Sequence, residues 1–325
     1  MKKKFYKSYE FFLVLLLAAI WIGVALVEPK FLSLGTFFDV FRAQTVYILM
    51  AFGLLPVVIL GGVDISFVAI AALATYPVHY YLLNHGYTGG MSVYLIAAII
   101  IGLIAGLVIG YLNYRFKLTI FDLSLGMNTM IYGAVLFFVD ALWNFDMSTG
   151  LDGWNQKALI TVESVGAGGS FLHISFLIVL ITGVLLHLFL KYTTLGRSIF
   201  AMGSNKSVAI RTGVNTKLVY LTVFGIMGLM AGLAGITWSG LEQQFRPVLF
   251  QGKNMQVLAG VIMGGASVRG GKGSVLGAFL GTILIGIIGQ ALVYLRIPVA
   301  WMDAVMGITF IAFAIYQTLE SRTDK

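Results

Sequence analysis

Of 325 residues, 59% are hydrophobic and only 10% are charged, where a soluble domain carries about 25% charged residues. That balance excludes a soluble domain and points to an all-α integral membrane protein. The chain has no cysteine, which excludes disulfides, thiolate metal sites and cysteine nucleophiles. Its net charge of +8 lies in short connections between apolar runs, so it reads as an orientation signal rather than a nucleic-acid patch.

Apolar runs of ~17–25 residues read as spanning helices. The first, 11–27, follows the basic start Met1-Lys2-Lys3-Lys4-Phe5-Tyr6-Lys7. No small-x-small cleavage site follows it, so it is expected to be a retained helix, not a signal peptide. The second run, 46–60, ends at Gly61-Gly62, and the third, 65–83, at Asn84, His85 and Gly86. The fourth, 93–112, carries Gly102, Gly106 and Gly110 at small-xxx-small spacing, a close-packing stripe. The fifth, 119–142, is interrupted by Asp122, Ser124, Gly126 and Asn128. A polar stretch over 143–170 leads to the sixth, 171–190.

The longest polar break follows, Thr193 to Gly213, with Lys191, Arg197, Lys206, Arg211 and Lys217 in and around it and no acidic residue inside it. Gly196 and Gly203 read as chain breaks. Asn205 is a good N-cap and Gly213 suits the position just past a helix end, which predicts a short helix over 206–212. Val208, Ala209 and Ile210 give that helix a partly apolar surface, as a docking element needs. A Gly-rich span is expected over 218–238. The next apolar piece, 255–266, is too short at ~1.5 Å per residue to cross ~30 Å of hydrocarbon alone. The spans 275–295, with Gly277 and Gly281 as a second packing stripe, and 300–319 complete ten.

Alternating these spans from a cytoplasmic N-terminus puts 15 Lys and Arg inside and 6 outside, which favours ten crossings, both termini cytoplasmic and a cytoplasmic loop over 191–217. A single transmembrane domain over 1–325 is expected. The string Val58-Ile59-Leu60-Gly61-Gly62 echoes Val261-Ile262-Met263-Gly264-Gly265. Both copies would turn from an inbound to an outbound span, so a repeat here would be parallel; the other reading is a chance match of a short string.

Polar groups inside a membrane are candidate functional sites. Asp64, with Ser66 beside it, either lines the solute path or gate, or caps the third helix. Asn128 and Thr129 either hydrogen-bond a polyhydroxylated solute or knit two helices together. Asp122 and Ser124, near the fifth span's cytoplasmic end, and Asp303, near the outer end of the last span, are either functional or simply interfacial. Arg269-Gly270-Gly271-Lys272-Gly273-Ser274 fails the phosphate-loop pattern, because Ala266 stands where its first Gly belongs and Gly273 follows the Lys. His79, His85, His173 and His187 have no metal-ligand spacing. No cofactor or metal site and no catalytic constellation is expected.

These residues resemble the permease subunits of ribose-type, simple-sugar ABC importers. Thr193, Gly196, Arg197, Ala201, Gly203, Asn205, Ala209, Gly213 and Val214 fit that family's coupling-loop pattern. Gly61-Gly62-Val63-Asp64-Ile65-Ser66, Leu125-Gly126-Met127 with Gly133, and Gly264-Gly265 with Gly270-Gly271-Lys272-Gly273 resemble its other motifs. The resemblance implies a bacterial inner-membrane permease, a dimer with a second or homologous copy, a separate ATPase holding ATP-Mg, and an extracytoplasmic solute-binding protein. It makes Gly196, Arg197, Gly203, Asn205, Ala209 and Gly213 the ATPase-coupling residues. The solute would be a sugar or sugar-like molecule; a nucleoside or furanose-like signalling molecule, or an ion-coupled carrier using Asp64 or Asp122, are the alternatives. Departures are Lys206 where an acid is common, Val208 for an Ala, Ile120-Phe121-Asp122 where the family often has P-P-F or P-x-F, Ser124 for a Thr, and Tyr132 for an Arg.

Overall fold

A computed structural model describes residues 9–147, 151–162 and 170–323. Lys2, Lys3, Lys4, Lys7, Gly150, Gly166, Gly168, Gly169 and Lys325 lie outside the described residues. Twelve α-helices are described: α1 (Tyr9–Val27), α2 (Leu34–Ile59), α3 (Phe67–Asn84), α4 (Met91–Phe116), α5 (Ile120–Phe138), α6 (Ser175–Tyr192), α7 (Thr194–Ser204), α8 (Lys206–Arg211), α9 (Thr216–Glu242), α10 (Asn254–Met263), α11 (Val275–Tyr294) and α12 (Met302–Thr323). Ten are the apolar helices expected from the sequence. Seven of these are long and apolar enough to cross a membrane by length and composition; α3, α10 and α12 complete the set.

The core lies around α2, α9 and α11, which are largely buried, while α1, α5 and α6 turn most of their surface outward. With lipid on one side and helices on the other, packing depends on small residues. Accordingly α4 runs along α9 with Gly102 against the Gly228 backbone, Gly106 against the Phe224 carbonyl and Gly110 against the Tyr220 carbonyl. Gly277 and Gly281 of α11 meet Gly264, just past the end of α10, and Gly260 within it in the same way.

Contacts sort the connections into two ends. At one end the turns after α2 and α10 meet each other and α7, α5 begins against Gly62, and α1 begins with Tyr9 Oη donating to the Met263 carbonyl at 2.9 Å. Arg115, Lys117, Lys191, Arg197, Lys206, Arg211, Lys217, Arg269 and Lys272 belong to connections or helix ends of this side, which we term the basic end. At the opposite end, Thr36 bonds the Tyr294 hydroxyl at 2.9 Å and Arg42 covers the Phe171 ring at 5.1 Å.

The sequence reading needs correction at several span bounds and in the polar stretch; the second span, for one, begins at Leu34. The fifth span stops at Phe138, and the sixth begins at Ser175 because residues 170–173 are extended. The polar stretch after α5 is not all loop: β1 (Ala158–Val162) pairs antiparallel with β2 (Ser170–His173). As its length implies, α10 does not cross by itself. Gln244, Phe245, Pro247, Leu249 and Phe250 lead into it as buried, non-helical chain. Such backbone is tolerated at membrane depth only where protein satisfies it. Here Phe245 exchanges both backbone hydrogen bonds with Asn144 at 3.0 and 2.8 Å, and Tyr132 Oη donates to the Leu249 carbonyl.

Candidate functional site

The polar loop folds as two helices. Thr193 accepts the Gly196 amide at 2.9 Å and starts α7, which buries Gly196, Ile199 and Met202 along one face. Gly196 and Gly203, read as breaks, lie inside this helix. They are spacers: a Cβ at 196 would overlap the Phe189 and Leu190 carbonyls, and one at 203 the Ile59 carbonyl. Asn205 Oδ1 then accepts the Val208 amide at 3.2 Å and caps α8, and Gly213 leaves the helix at φ +86°. Arg197 is exposed and donates to the Tyr192 carbonyl at 3.3 Å. Ala209 faces inward at 2% exposure, so the surface α8 offers is Val208 and Ile210, half exposed, between Lys206 and Arg211. Lys206 Nζ bonds the Tyr220 hydroxyl at 3.1 Å and lies over its ring.

The end of α7 sits on two helix-ending turns. Gly271 N–H donates to the Ile59 carbonyl at 2.8 Å, and a Cβ at 270 would stand 2.6 Å from the Gly203 carbonyl and 2.9 Å from Gly61 Cα. The turns after α2 and α10 share one geometry. Gly61 N–H reaches Val58 and Gly62 N–H reaches Val57; Gly265 reaches Ile262 and Ala266 reaches Val261. Gly61 at φ +89° and Gly265 at φ +87° take the left-handed position that ends such helices. Gly61 therefore corresponds to Gly265, one residue away from the match the letters give.

Asp64 and Ser66 are fully buried in the turn that follows. Asp64 Oδ1 accepts the Ser66 amide at 2.6 Å and its hydroxyl at 2.7 Å, three residues ahead of the α3 start, while Oδ2 has no partner among the described residues. Ser124 of α5 closes the same turn, accepting the Ile65 amide at 3.2 Å and donating to the Phe121 carbonyl at 2.8 Å. Asn128, one turn further along α5, is half-buried with Oδ1 unpartnered. Thr129 is exposed and bonded back to the Leu125 carbonyl at 3.1 Å. Asp64, Ser66 and Ser124 thus come together, and Asn128 and Thr129 do not join them. Asp122 is engaged with Thr119 at the first turn of α5. Asp303 is exposed in the first turn of α12.

Sequence reasoning missed two features at the opposite end. Tyr132 is buried and holds the chain before α10. Arg246 lies 3.9 Å over Trp143 and 5.3 Å over Trp238, held by Gln244 Oε1 at 3.0 and 2.9 Å. An Arg beside aromatic residues distant in sequence gives no periodic signal.

Residues 36–314 match the family described as branched-chain amino acid transport system / permease component. The chain belongs to this family. The permease is similar to the autoinducer 2 import system permease protein LsrC of Yersinia enterocolitica, 27% identical over 96% of this chain and 85% of that protein. It is 28% identical to LsrC of Escherichia coli K12 over 89% of this chain and 81% of that protein. For LsrC of Salmonella typhi the figures are 26%, 93% and 84%. No solved structure matches the permease. It is a multi-pass membrane protein of a transport system, and the first helix of its polar loop, α7, is seated on the turns that end α2 and α10.

Proposed function

We propose that this chain is the membrane subunit of an ATP-driven importer for a small sugar-like signalling molecule of the autoinducer 2 class. The names of its relatives support that solute, and the resemblance to simple-sugar permeases agrees with it. In this reading the basic end is cytoplasmic, as the excess of Lys and Arg in its connections favours. A separate ATPase then docks on Val208 and Ile210 of α8, and an extracytoplasmic binding protein docks at the opposite end.

The observation that carries the mechanism is the seating of Gly203 on Ile59 and Gly270. A push on α8 travels through α7, a stiff two-to-three-turn helix, onto the ends of α2 and α10 together. Both are ended by left-handed glycine turns, and Asp64, Ser66 and Ser124 tie the first of them to α5. Tilting those helices is a way to alternate access. On the outward face of α5, Gly126 and Gly133 leave open space and Thr129 presents its side chain. A face of that kind suits a second permease copy or a hydrated solute path better than acyl chains.

The test is uptake into proteoliposomes holding the permease, its ATPase and its binding protein. ATP-dependent uptake of the signalling molecule is expected, with none when the ATPase is omitted. Uptake driven by an ion gradient without the ATPase would overturn this reading.

A further inference from the structure

Two cavities adjoin on the surface between α6 and α11. One, of about 340 Å³, is lined by Phe52, Gly183, Val184, Leu188, Leu276 and Phe279 among others, and His187 is its one polar residue. The second, of about 440 Å³, continues it towards the basic end and shares His187 and Val275. Its charged residues are Lys191 and Arg197, and among the described residues no acidic side chain lines either cavity. Phe52 of α2 forms part of the wall where Gly183 lacks a side chain; a Cβ there would stand 3.0 Å from the Phe52 ring.

We propose that this groove binds one anionic phospholipid, with its phosphate between Lys191 and Arg197 and an acyl chain laid along Gly183 and Phe279. The dimensions fit. From Val179 to Lys191 the helix rises roughly 18 Å at ~1.5 Å per residue, and one leaflet of hydrocarbon is roughly 15 Å deep. Arg197 gives one N–H to the Tyr192 carbonyl at 3.3 Å and keeps further donors for a phosphate. The hydroxyl of Ser274, at the lip, already donates to Glu10 at 2.9 Å, so the headgroup rests on the two cations. A second surface groove of about 420 Å³, between α1, α2 and α11, is wholly apolar and has no cation. It can accept any acyl chain but cannot select a headgroup, which marks the α6–α11 groove as the selective one. The leaflet, cytoplasmic, follows from the proposed placement of the polar loop; the binding itself does not depend on the importer reading.

The experiment is native mass spectrometry of the full-length permease in detergent, titrated separately with phosphatidylglycerol, phosphatidylcholine and inorganic phosphate. Each cation near an anionic headgroup is worth about fivefold in binding. Phosphatidylglycerol is therefore expected to bind at least about tenfold more tightly than phosphatidylcholine. Lys191→Gln with Arg197→Gln, both exposed, should remove that preference, and Val184→Trp should weaken retention of both lipids by narrowing the apolar part. Equal binding of the two lipids, or an unchanged preference in the double variant, would overturn the proposal. Displacement of phosphatidylglycerol by millimolar phosphate alone would also overturn it, in favour of a simple anion site. The readout involves no transport, so its failure leaves the importer reading standing, and the reverse.

Discussion

Gly203 of α7 packs its backbone directly on the carbonyl oxygen of Ile59, the last residue of α2. In a helix interior Ala is favoured over Gly by about 1 kcal/mol. Propensity alone thus predicts that Gly203→Ala stabilises the protein. Contact predicts the reverse, because the new methyl would overlap that oxygen and crowd Gly271 N at 2.7 Å. Backbone cannot swing away as a side chain can, so contact should win. Gly203→Ala is expected to lower ATP-driven uptake at least tenfold while the protein still inserts and purifies. Gly23→Ala in α1, where nothing lies within 4 Å, is the matched control and should be neutral. Equal uptake in the two variants would show that the seat on Ile59 does not couple the loop to α2.

The second prediction concerns the docking helix. A helix of six residues is marginal alone, and α8 depends on its Asn205 cap and its Gly213 exit. Removing an Asn cap costs about 1 kcal/mol. Asn205→Ala should therefore raise amide exchange across 206–213 by about fivefold and weaken ATPase binding by a similar factor. Asn205→Asp keeps the acceptor and should behave like the parent. Unchanged exchange in Asn205→Ala would mean that packing of Ala209, not the cap, holds the helix.

Much of this was legible in the sequence, because membrane helices announce themselves by length and apolarity. The cap at Asn205 and the exit at Gly213 were legible too, since both are local chemistry. What was not legible depends on partners distant in the chain. Gly196 and Gly203 look like helix breakers by propensity, yet they are spacers inside α7, set by the carbonyls of Phe189, Leu190 and Ile59. The letters align Gly61 with Gly264, whereas the backbone aligns it with Gly265, because a hydrogen-bonded turn counts positions from the helix end. The packing of α5 was equally hidden: Tyr132 and Thr129 lie three residues apart, and one is buried while the other is exposed.

Tyr132 yields a third prediction. Its hydroxyl donates to the Leu249 carbonyl in the non-helical chain ahead of α10. Removing it leaves a buried acceptor without that partner, at a cost of about 1–3 kcal/mol. Tyr132→Phe should lower the unfolding midpoint and loosen residues 244–250, with the solute preference of uptake unaltered. A changed preference at unchanged stability would place Tyr132 on the solute path.

At Asp64, two substitutions separate support from transport. Oδ1 accepts two hydrogen bonds from Ser66, and an Asn side chain can accept both. Asp64→Asn should therefore keep the turn and the protein's stability, while Asp64→Ala leaves a buried amide and hydroxyl unpaired and costs about 1–3 kcal/mol. If the carboxylate is only a support, uptake follows stability, with Asn near the parent and Ala low. Loss of uptake in a stable Asp64→Asn variant would instead assign the charge a part in the transport cycle.

The last prediction is a pH dependence at the opposite end. His173 is buried in β2, where burial, and then the positive charges of Arg42 and Lys157, hold its pKa below the usual histidine range against a hydrogen bond to the Trp154 carbonyl. The geometry fixes the tautomer. Nδ1 accepts the Ser175 amide at 3.1 Å, so the proton sits on Nε2 and is donated to Trp154 at 2.8 Å. A second proton must go to Nδ1, where it would displace the Ser175 amide at the start of α6 and leave only the Ser175 hydroxyl, 2.8 Å away, to accept it. With the folded pKa depressed, the unfolded state binds more protons between the depressed value and about 6.5. The stability of this region is then full above about pH 6.5 and falls as the pH drops towards the folded pKa. Amide protection across 154–162 and 170–175 should decline over that window, relative to a pH-insensitive reference such as the α4–α9 pair. His173→Gln should flatten the decline. A decline of the same size in the variant would place the titrating group elsewhere.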